Sequence, residues 1–414
     1  MKSAEIIAVG SELLTPQRVD TNSLYVTEQL NLLGVEVVRK QVIGDDRDRL
    51  TEAIRVAVDR SHIVVLIGGL GPTEDDVTRD AVAAALGRTL RLSLEQESVL
   101  IARFRQINRP MAKNNLRQAY LVDGAEALPN PHGTAPGQYM STNRGALAML
   151  PGPPREMKPM MKEQLLPRLR HVVPPSVIRV RNFRVTGIGE SDLDTLIAPV
   201  YTKYTNPATT VLSAPGDLFV QLRATGSTEK EADALLREVG NPIAELLGEK
   251  VYSENADEPL EAVIGRLLRK QIATVSAAES CTGGLIAGRL TEQAGSSDFF
   301  LAGYVTYSDN QKTKILNVPA DVIAKHSAVS EAVATAMAEG ARKLSGSTYA
   351  VSTTGYAGPT GGTDYDPVGT VYIGLAAPAK TEVVRARYGG DRYRTRALAT
   401  QAALDLLRRR LFKA

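Results

Sequence analysis

The sequence predicts an α/β protein with three successive domains. Its 414 residues exceed the length that one hydrophobic core usually organises. Strand-like and helix-like segments alternate through the first 170 residues, and the same alternation resumes after residue 259. Stretches rich in proline or polar residues interrupt the pattern at 174–175 and 253–259. We therefore place a first domain at 1–172, a small α+β domain at 173–254 and a third α/β domain at 255–414.

The first domain is predicted to hold a parallel sheet covered by helices on both faces, with right-handed crossovers. In order along the chain, we predict a strand at 5–9, a helix at 23–33, a strand at 35–41, a helix at 50–60, a strand at 62–67 and a closing helix at 155–170. Ligands of such sheets bind at the carboxyl ends of the strands. Gly10 and the segment Gly68–Thr73 both fall at such ends.

The other two domains show fewer clear elements. For the middle domain we predict strands at 177–186 and 218–224 and a helix at 230–247. For the third domain we predict a helix at 260–270 and strands at 272–277, 303–307 and 349–352. The run Arg408–Arg410 ends an apolar helical pattern, where cations complement the helix dipole.

Composition excludes several classes of protein. Apolar residues make up 43% and charged residues 23%, as in ordinary globular proteins, and no stretch approaches the roughly 20 apolar residues of a membrane span. The first ten residues do not resemble a secretory signal, so we expect a cytoplasmic location. One cysteine excludes an internal disulfide, and four histidines without paired spacing give no zinc signature. A net charge of only +3 does not predict nucleic-acid binding.

The segment Gly68–Asp80 joins a glycine-rich strand end to acidic residues. Glycines let the backbone approach a bulky anion, and free N–H groups at a helix start can hold phosphate. Asp75, Asp76 and Asp80 add the oxygen ligands that Mg²⁺ or Mn²⁺ prefers. The residues equally fit a plain helix start in which Thr73 is the cap and the acids complement the helix dipole.

This segment, together with 10–14, 20–22 and Pro151–Pro154, resembles the N-terminal domain of the CinA family, which is similar to the MoaB/MogA fold. The resemblance implies a three-layer domain that hydrolyses ADP-ribose to AMP and ribose 5-phosphate with a divalent metal, Mg²⁺, Mn²⁺ or Co²⁺. It implies metal ligands among Glu12, Asp75, Asp76 and Asp80. It implies substrate contacts from Gly68, Gly69, Thr73 and Asn22, with Arg109, Lys113 and Asn114 as candidates for the phosphates.

The middle domain of that family is KH-like, and KH domains grip single-stranded nucleic acid through a GxxG loop. The nearest match here, Gly187-Ile188-Gly189-Glu190, lacks the spacing and places an acid where phosphate would lie. We therefore expect a linking or dimer-forming role rather than nucleic-acid binding.

The third domain carries the only cysteine of the chain, Cys281, beside Ser280. A serine nucleophile needs a base, and the domain offers His326 for a Ser–His arrangement or Lys312 as a buried neutral amine. Cys281 has no histidine motif beside it, which favours a packing role. Glycine-rich loops at 355–362 and 389–390 offer backbone N–H groups for an oxyanion or a phosphate.

The blocks 278–284, 305–308, 328–330, 355–359, 367–371 and 390–392 resemble the nicotinamide-nucleotide amidase domain known alone as PncC and fused in CinA. The resemblance implies a cofactor-free deamidation of nicotinamide mononucleotide (NMN) to nicotinic acid mononucleotide and ammonia. It implies Ser280 as nucleophile and Lys312 as base, with Tyr307, Thr354 and Arg392 in the site. The implied substrate contacts are Thr282, Gly283, Gly284, Gly355 and Gly358, and Tyr356 stands where an aliphatic residue is commoner.

Two other interpretations stay open from the sequence. The protein is either this pair of hydrolases or a non-catalytic partner in competence or the DNA-damage response, with which the family is associated. The first domain is either a hydrolase or a binder of a molybdopterin-like ligand. Family analogy also predicts a homodimer with no membrane association.

Overall fold

The computed structural model describes residues 2–173 and 176–413. The predicted boundary at Pro174 and Pro175 lies outside the described residues. The chain forms two compact units, one of residues 1–179 with 225–234 and the other of residues 180–224 with 235–414. The three-domain division stays a prediction, because this grouping divides the middle segment between the two units. Among the described residues, no helix combines the length and apolar character needed to cross a bilayer.

The N-terminal segment builds a six-stranded sheet of order β2-β1-β3-β8-β7-β6. Its strands and those of a separate two-stranded antiparallel sheet, β4-β5, are β1 Ser3–Val9, β2 Glu36–Ile43, β3 Ile63–Ile67, β4 Leu90–Leu92, β5 Tyr120–Val122, β6 Glu126–Leu128, β7 Gly137–Ser141 and β8 Ala146–Leu150. Its helices are α1 Asn22–Leu32, α2 Arg47–Arg60, α3 Thr78–Ala85, α4 Leu94–Gln106, α5 Pro154–Met160 and α6 Leu166–Val172, with 3₁₀ turns at Ser11–Leu14 and Lys113–Ala119. The predicted parallel arrangement holds for β2, β1, β3 and β8, whereas β7 and β6 form an antiparallel edge.

Two apolar cores cover the two faces of this sheet. Successive residues of a strand point to opposite faces, so Ile6 joins one core and Ile7 the other. The first core receives Val26 and Leu30 from α1, and the second receives Ile54 from α2. Each fully buried aliphatic side chain contributes roughly 1.5–3 kcal/mol, which explains why the central strands are apolar along their length.

The predicted helix at 155–170 is one continuous helical segment with a π turn at Met161–Leu165 between α5 and α6. Pro167 lacks an N–H group and cannot complete the α-helical bonding of the preceding turn, which accounts for the wider turn.

The middle segment forms a four-stranded sheet of order β10-β11-β9-β12. Its elements are β9 Val177–Val185, α7 Glu190–Tyr201, β10 Ala208–Ala214, β11 Asp217–Gly226, α8 Glu229–Leu247, a 3₁₀ turn Gly248–Lys250 and β12 Val251–Ser253. The segment Gly187–Gly189 lies between β9 and α7, and Glu190 is the first residue of that helix.

The third segment forms a five-stranded sheet of order β14-β13-β15-β16-β17. Its strands are β13 Val275–Glu279, β14 Phe300–Val305, β15 Tyr349–Gly355, β16 Thr370–Ala376 and β17 Thr381–Arg387. Its helices are α9 Leu260–Gln271, α10 Leu285–Thr291, α11 Asp309–Leu316, α12 Ala320–His326, α13 Glu331–Ser345 and α14 Arg392–Lys413, with a 3₁₀ turn at Ser296–Asp298. Strands β14, β13 and β15 are mutually parallel, and β16 and β17 run antiparallel.

The predicted strand at 272–277 is displaced, because β13 begins at Val275. Ile272 adopts a left-handed conformation with φ 54° and terminates α9, so the strand starts only after the chain has turned. Helices α9 and α14 pack on one face of the sheet and α13 packs on the other. The carboxyl end of β13, where Ser280 follows, therefore lies between two well-packed layers.

Candidate active sites

Ser280 begins a tight turn, residues 280–284, that connects β13 to α10 and is called here the Ser280 turn. Its backbone N–H donates to the Thr353 carbonyl at 2.9 Å, and the Thr306 N–H donates to the Glu279 carbonyl at 2.9 Å. Glu279 is in register with Val305 of β14 and with Thr353 of β15. Three parallel strands thus end side by side around Ser280, the position at which such sheets bind ligands.

The buried carboxylate of Glu279 fixes the Ser280 turn. It accepts the N–H groups of Gly284 at 2.9 Å, Ile286 at 3.1 Å and Ala287 at 2.9 Å. This satisfies donors that have no partner inside the first turn of α10. Sequence reasoning missed this residue, although a carboxylate just before a helix is a known capping signal.

Gly283 and Gly284 differ from the role expected of them. Both have positive φ, 60° and 94°, and so need to be glycine. The Gly283 N–H donates to the Ser280 carbonyl and the Gly284 N–H donates to Glu279. Neither N–H group is therefore free to hold a substrate oxygen, and the two glycines shape the turn.

Lys312 is buried, with a side chain only 2% exposed, on helix α11. Its Nζ donates to the Tyr307 carbonyl at 3.4 Å and lies 3.6 Å from Oδ1 of Asp309. Burial lowers the pKa of the Lys312 amine, while Asp309, Cys281 and Tyr307 act in the opposite direction. Tyr307 follows Thr306, whose N–H donates to the Glu279 carbonyl, so hydrogen bonds connect Lys312 to the strand end that precedes Ser280.

Cys281 packs into the apolar core beneath the turn and is 5% exposed. Burial raises the pKa of its thiol to about 12, so at neutral pH the sulfur stays protonated. This agrees with the packing role predicted from the sequence.

Replacing Cys281 with serine is therefore expected to leave deamidation of NMN within about threefold of wild type, because the thiol takes no part in the reaction. The buried hydroxyl should lower the free energy of unfolding by about 1–3 kcal/mol. Steady-state kinetics and urea unfolding measure the two effects. A loss of activity comparable to that of a nucleophile variant would contradict the assignment.

Arg392 joins two other segments at the same end of the sheet. Its Nη2 donates to the hydroxyl oxygen of Tyr307 at 2.8 Å, and its Nη1 donates to the carbonyl of Gly358 at 2.9 Å. Tyr307 is 59% exposed, so this pair forms a polar rim that a ligand can reach. Gly358 has a positive φ of 84°, which explains its identity.

Thr282, predicted as a substrate contact, and Thr354, predicted as an active-site residue, are both buried. The hydroxyls of Thr282 and Thr353 share a hydrogen bond of 2.7 Å, and Thr354 donates to the Ala328 carbonyl at 2.7 Å. Both side chains are at most 1% exposed. Gly355 is also structural, because a Cβ there would lie 2.6 Å from the Thr370 carbonyl. Hydroxyls and glycine at these positions tie the strand ends together.

His326 and Tyr356 lie in other surroundings. His326 is the exposed last residue of α12, not a loop residue, and it lines a groove between α12 and α13. Tyr356 packs partly against Val329 and Tyr372, with its hydroxyl 3.4 Å from Oγ of Ser327. His326 is thus exposed in this groove, whereas Lys312 is buried.

The N-terminal sheet carries a second candidate site at the carboxyl ends of β1 and β3. A cavity of about 400 Å³ is lined by Gly68, Gly69, Glu12, Asp75 and Asp76, among others. A second cavity of about 440 Å³ contains Asn22, whose Nδ2 donates to the Gly152 carbonyl at 2.7 Å. Glu12 and Gly152 border both cavities, so the two form one polar cleft.

The acidic residues after the glycines do not form the expected helix start. Helix α3 begins at Thr78, and Thr73 caps nothing. Instead, Asp76 closes a turn, since one carboxylate oxygen accepts the Gly71 N–H at 2.7 Å and the other accepts the Thr73 N–H at 2.9 Å. Asp76 therefore holds the loop rather than presenting a free carboxylate.

Arg79 was not predicted, although it organises the same loop. It is 3% exposed and donates to the carbonyls of Leu70 at 2.6 Å and Gly71 at 2.8 Å. Only the fold reveals this role, because its partners are backbone atoms eight and nine residues away.

The four carboxylates predicted as metal ligands do not converge. Within residues 2–173 and 176–413, no three His, Cys, Asp or Glu side chains are arranged to hold an ion. Asp80 lies in the first turn of α3, and Thr73 is exposed. Neither residue is among those that line the cavity. The phosphate candidates Arg109, Lys113 and Asn114 are exposed residues that line neither cavity.

Three family models match the chain in order. Residues 5–171 match the probable molybdopterin binding domain, residues 180–253 the damage-inducible protein CinA KH domain, and residues 257–411 the CinA C-terminal domain. The resemblances predicted for all three segments are thereby confirmed.

Full-length relatives agree with these matches. A CinA-like protein of Solibacter usitatus (strain Ellin6076) is 56% identical over 408 residues, covering 99% of this chain and 98% of that protein. A CinA-like protein of Koribacter versatilis (strain Ellin345) is 46% identical over 412 residues, 99% of each chain. A solved Klebsiella pneumoniae protein of the competence-damaged (CinA) superfamily is 38% identical, covers 37% of this chain and 97% of its own, and has a TM-score of 0.37. With a MoaB/MogA-like segment, a KH segment and a CinA C-terminal segment in this order, the chain belongs to the CinA family.

Proposed function

We propose that the C-terminal segment hydrolyses the carboxamide of NMN to nicotinic acid mononucleotide and ammonia. The observation that carries the proposal is the burial of Lys312, which has a lowered pKa and whose Nζ donates to the Tyr307 carbonyl beside the strand end that precedes Ser280. Burying an amine costs free energy of folding. Residues whose pKa is perturbed by burial concentrate at functional sites.

In the proposed reaction, Oγ of Ser280 attacks the carboxamide carbon and the neutral Lys312 amine accepts the hydroxyl proton. The C–N bond of the tetrahedral intermediate then breaks, and Lys312 returns the proton to the departing ammonia. A water molecule attacks the resulting ester and loses a proton to Lys312. The ester C–O bond then breaks, Lys312 returns the proton to Oγ of Ser280, and nicotinic acid mononucleotide leaves. The Arg392–Tyr307 pair at the rim orients the nucleotide.

The assay incubates the full-length protein with NMN and measures ammonia and nicotinic acid mononucleotide. Ser280→Ala should abolish product formation, and Ser297→Ala, an exposed serine of the same segment, should not. Free nicotinamide, which lacks the ribose phosphate, should react poorly. Wild-type protein that releases no ammonia from NMN, or a fully active Ser280→Ala variant, refutes the proposal.

A second candidate function belongs to the N-terminal segment, hydrolysis of ADP-ribose to AMP and ribose 5-phosphate. It is favoured by the cleft that places the glycine-rich end of β3 beside acidic side chains. The donor set does not fit a metal cage built by protein alone. Glu12 and Asp75 do fit an ion whose other ligands are oxygens of the substrate pyrophosphate. Mg²⁺ is commonly bound in this way, by one or two carboxylates and substrate phosphates. Such an ion would neutralise phosphate charge, while the Gly68–Gly69 backbone lets the pyrophosphate approach.

Asp75→Asn is expected to lower AMP release from ADP-ribose in the presence of Mg²⁺ by at least about tenfold, because it removes one of the two carboxylates. Asp80→Asn should have little effect, since Asp80 does not line the cleft. A larger loss of AMP release in Asp80→Asn than in Asp75→Asn would instead place the metal site at α3. Tight binding of a pterin without AMP release would favour the molybdopterin-like interpretation.

Both substrates are phosphorylated nucleotides, which supports a cytoplasmic protein, and homodimer formation stays a prediction from family analogy. Inertness towards both NMN and ADP-ribose would favour a non-catalytic role in competence or the damage response.

A further inference from the structure

We propose that Arg396 is a positioning residue for the amidase site, an inference that rests on the deamidase function proposed above. Arg396 lies in the second turn of α14, and its guanidinium donates twice into the Ser280 turn. Nε donates to the Cys281 carbonyl at 3.1 Å and Nη2 donates to the Thr282 carbonyl at 2.7 Å.

The Ser280 turn is thus held from both sides by opposite charges. The carboxylate of Glu279 binds three N–H groups at the start of α10, and the guanidinium of Arg396 binds the two carbonyls that precede them. Charge-assisted hydrogen bonds of this kind are about twice as strong as neutral ones. Ser280 is the first residue of this turn, so its position depends on both sets of hydrogen bonds.

The fit between Arg396 and the turn is close. A Cβ at Gly283 would lie 3.2 Å from Nη2 of Arg396, and Gly283 also has positive φ. A residue other than glycine at position 283 would therefore place its Cβ against the Arg396 guanidinium.

Helix α14 provides a rigid support for Arg396. Its neighbours Thr395 and Ala399 are buried, and Ala403 and Leu407 continue the same face into the core. The Thr400 hydroxyl donates to the Arg396 carbonyl at 2.9 Å. A side chain on a packed helix can fix a turn within a small fraction of an ångström, which catalysis requires.

Arg396 acts through the turn and does not itself touch the reacting atoms. Loss of its two bonds should therefore lower kcat, because Ser280 is less well aligned, and leave KM for NMN nearly unchanged. A misplacement of about 1 Å can cost about 100-fold in rate.

The test compares Arg396→Met, Arg396→Lys and Arg410→Met, a control in the last turn of the same helix. Two quantities are measured in the full-length chain, the kinetics with NMN and the rate at which Cys281 reacts with a thiol reagent such as dithionitrobenzoate. Cys281 is the only cysteine of the chain, so the second measurement reports the Ser280 turn alone.

For Arg396→Met we expect a 10- to 100-fold fall in kcat, a KM within about threefold, and clearly faster thiol modification. Arg396→Lys should retain part of the wild-type kcat and part of the thiol protection, because the lysine ammonium still reaches one of the two carbonyls. If Arg396→Met does not fold, Arg396→Lys decides between the outcomes. Wild-type thiol protection and kcat in a folded Arg396→Met variant would overturn the inference.

The thiol measurement needs no substrate. A wild-type protein inert towards NMN would refute the deamidase proposal, and the effect of Arg396 on Cys281 would still show whether it holds the turn.

Discussion

Replacing Lys312 with methionine is expected to lower kcat for NMN deamidation by about 10³-fold, within the usual range for loss of a general base. The same variant should unfold at a higher temperature than wild type. Methionine fills a similar volume without an amine that must be desolvated in a site where the lysine is 2% exposed. Lys314→Met, an exposed lysine on the same helix, is the matched control and should change neither property.

The pH dependence follows from the same group. Burial lowers the pKa of Lys312, so the folded protein releases this proton at a lower pH than the unfolded chain does. Activity should rise with pH as the amine becomes neutral, at a pH below the ordinary lysine range. Between the folded and unfolded pKa values the unfolded state binds more protons, so the stability of the wild type should also rise with pH.

Lys312→Met should remove both of these pH effects. Rate–pH profiles and thermal unfolding at several pH values measure them. A Lys312→Met variant with the wild-type profile would show that another group is the base.

Replacing Glu279 with alanine is expected to be among the most destabilising single changes in the C-terminal segment. One buried and two partly buried N–H groups lose their acceptor, and an unsatisfied buried donor costs about 1–3 kcal/mol. We expect a loss of about 3–5 kcal/mol in the free energy of unfolding, together with faster hydrogen exchange in residues 280–291.

Glu279→Gln is the matched control. Its remaining carbonyl oxygen still accepts from the start of α10, so the loss should be smaller than for alanine. Urea unfolding and exchange measured by mass spectrometry compare the two variants. Equal stability of Glu279→Ala and wild type would mean that the cap does not support the Ser280 turn.

Much of the fold was predictable because alternating apolar segments specify strands and helices locally. Strand β3 and helices α2 and α9 lie close to their predicted positions. The antiparallel edge formed by β7 and β6 was not predicted, since pairing direction depends on which strands meet.

The candidate sites were predicted less completely than the fold. Ser280 and Lys312 stand out in the sequence because a serine nucleophile needs a base, and their roles stay predictions. Thr282 was predicted as a substrate contact and Thr354 as an active-site residue, and pairing of strand ends buries both hydroxyls. Whether a hydroxyl is exposed depends on tertiary packing, which the neighbouring residues in the sequence do not specify.

Adjacent acids and distant arginines illustrate the same limit. Asp75 and Asp76 are equivalent in the sequence, but only Asp76 is committed to closing the loop. Arg396 acts on carbonyls more than 110 residues earlier in the chain, and no local pattern indicates it.

The central claim is that Ser280 carries the acyl group during deamidation. Rapid acid quenching of the protein with NMN, followed by peptide mass mapping, tests this directly. We expect a nicotinate mononucleotide ester on the peptide that contains Ser280, absent from Ser280→Ala and present in Cys281→Ser. Ammonia release by Ser280→Ala, or an adduct that disappears in Cys281→Ser, would contradict it.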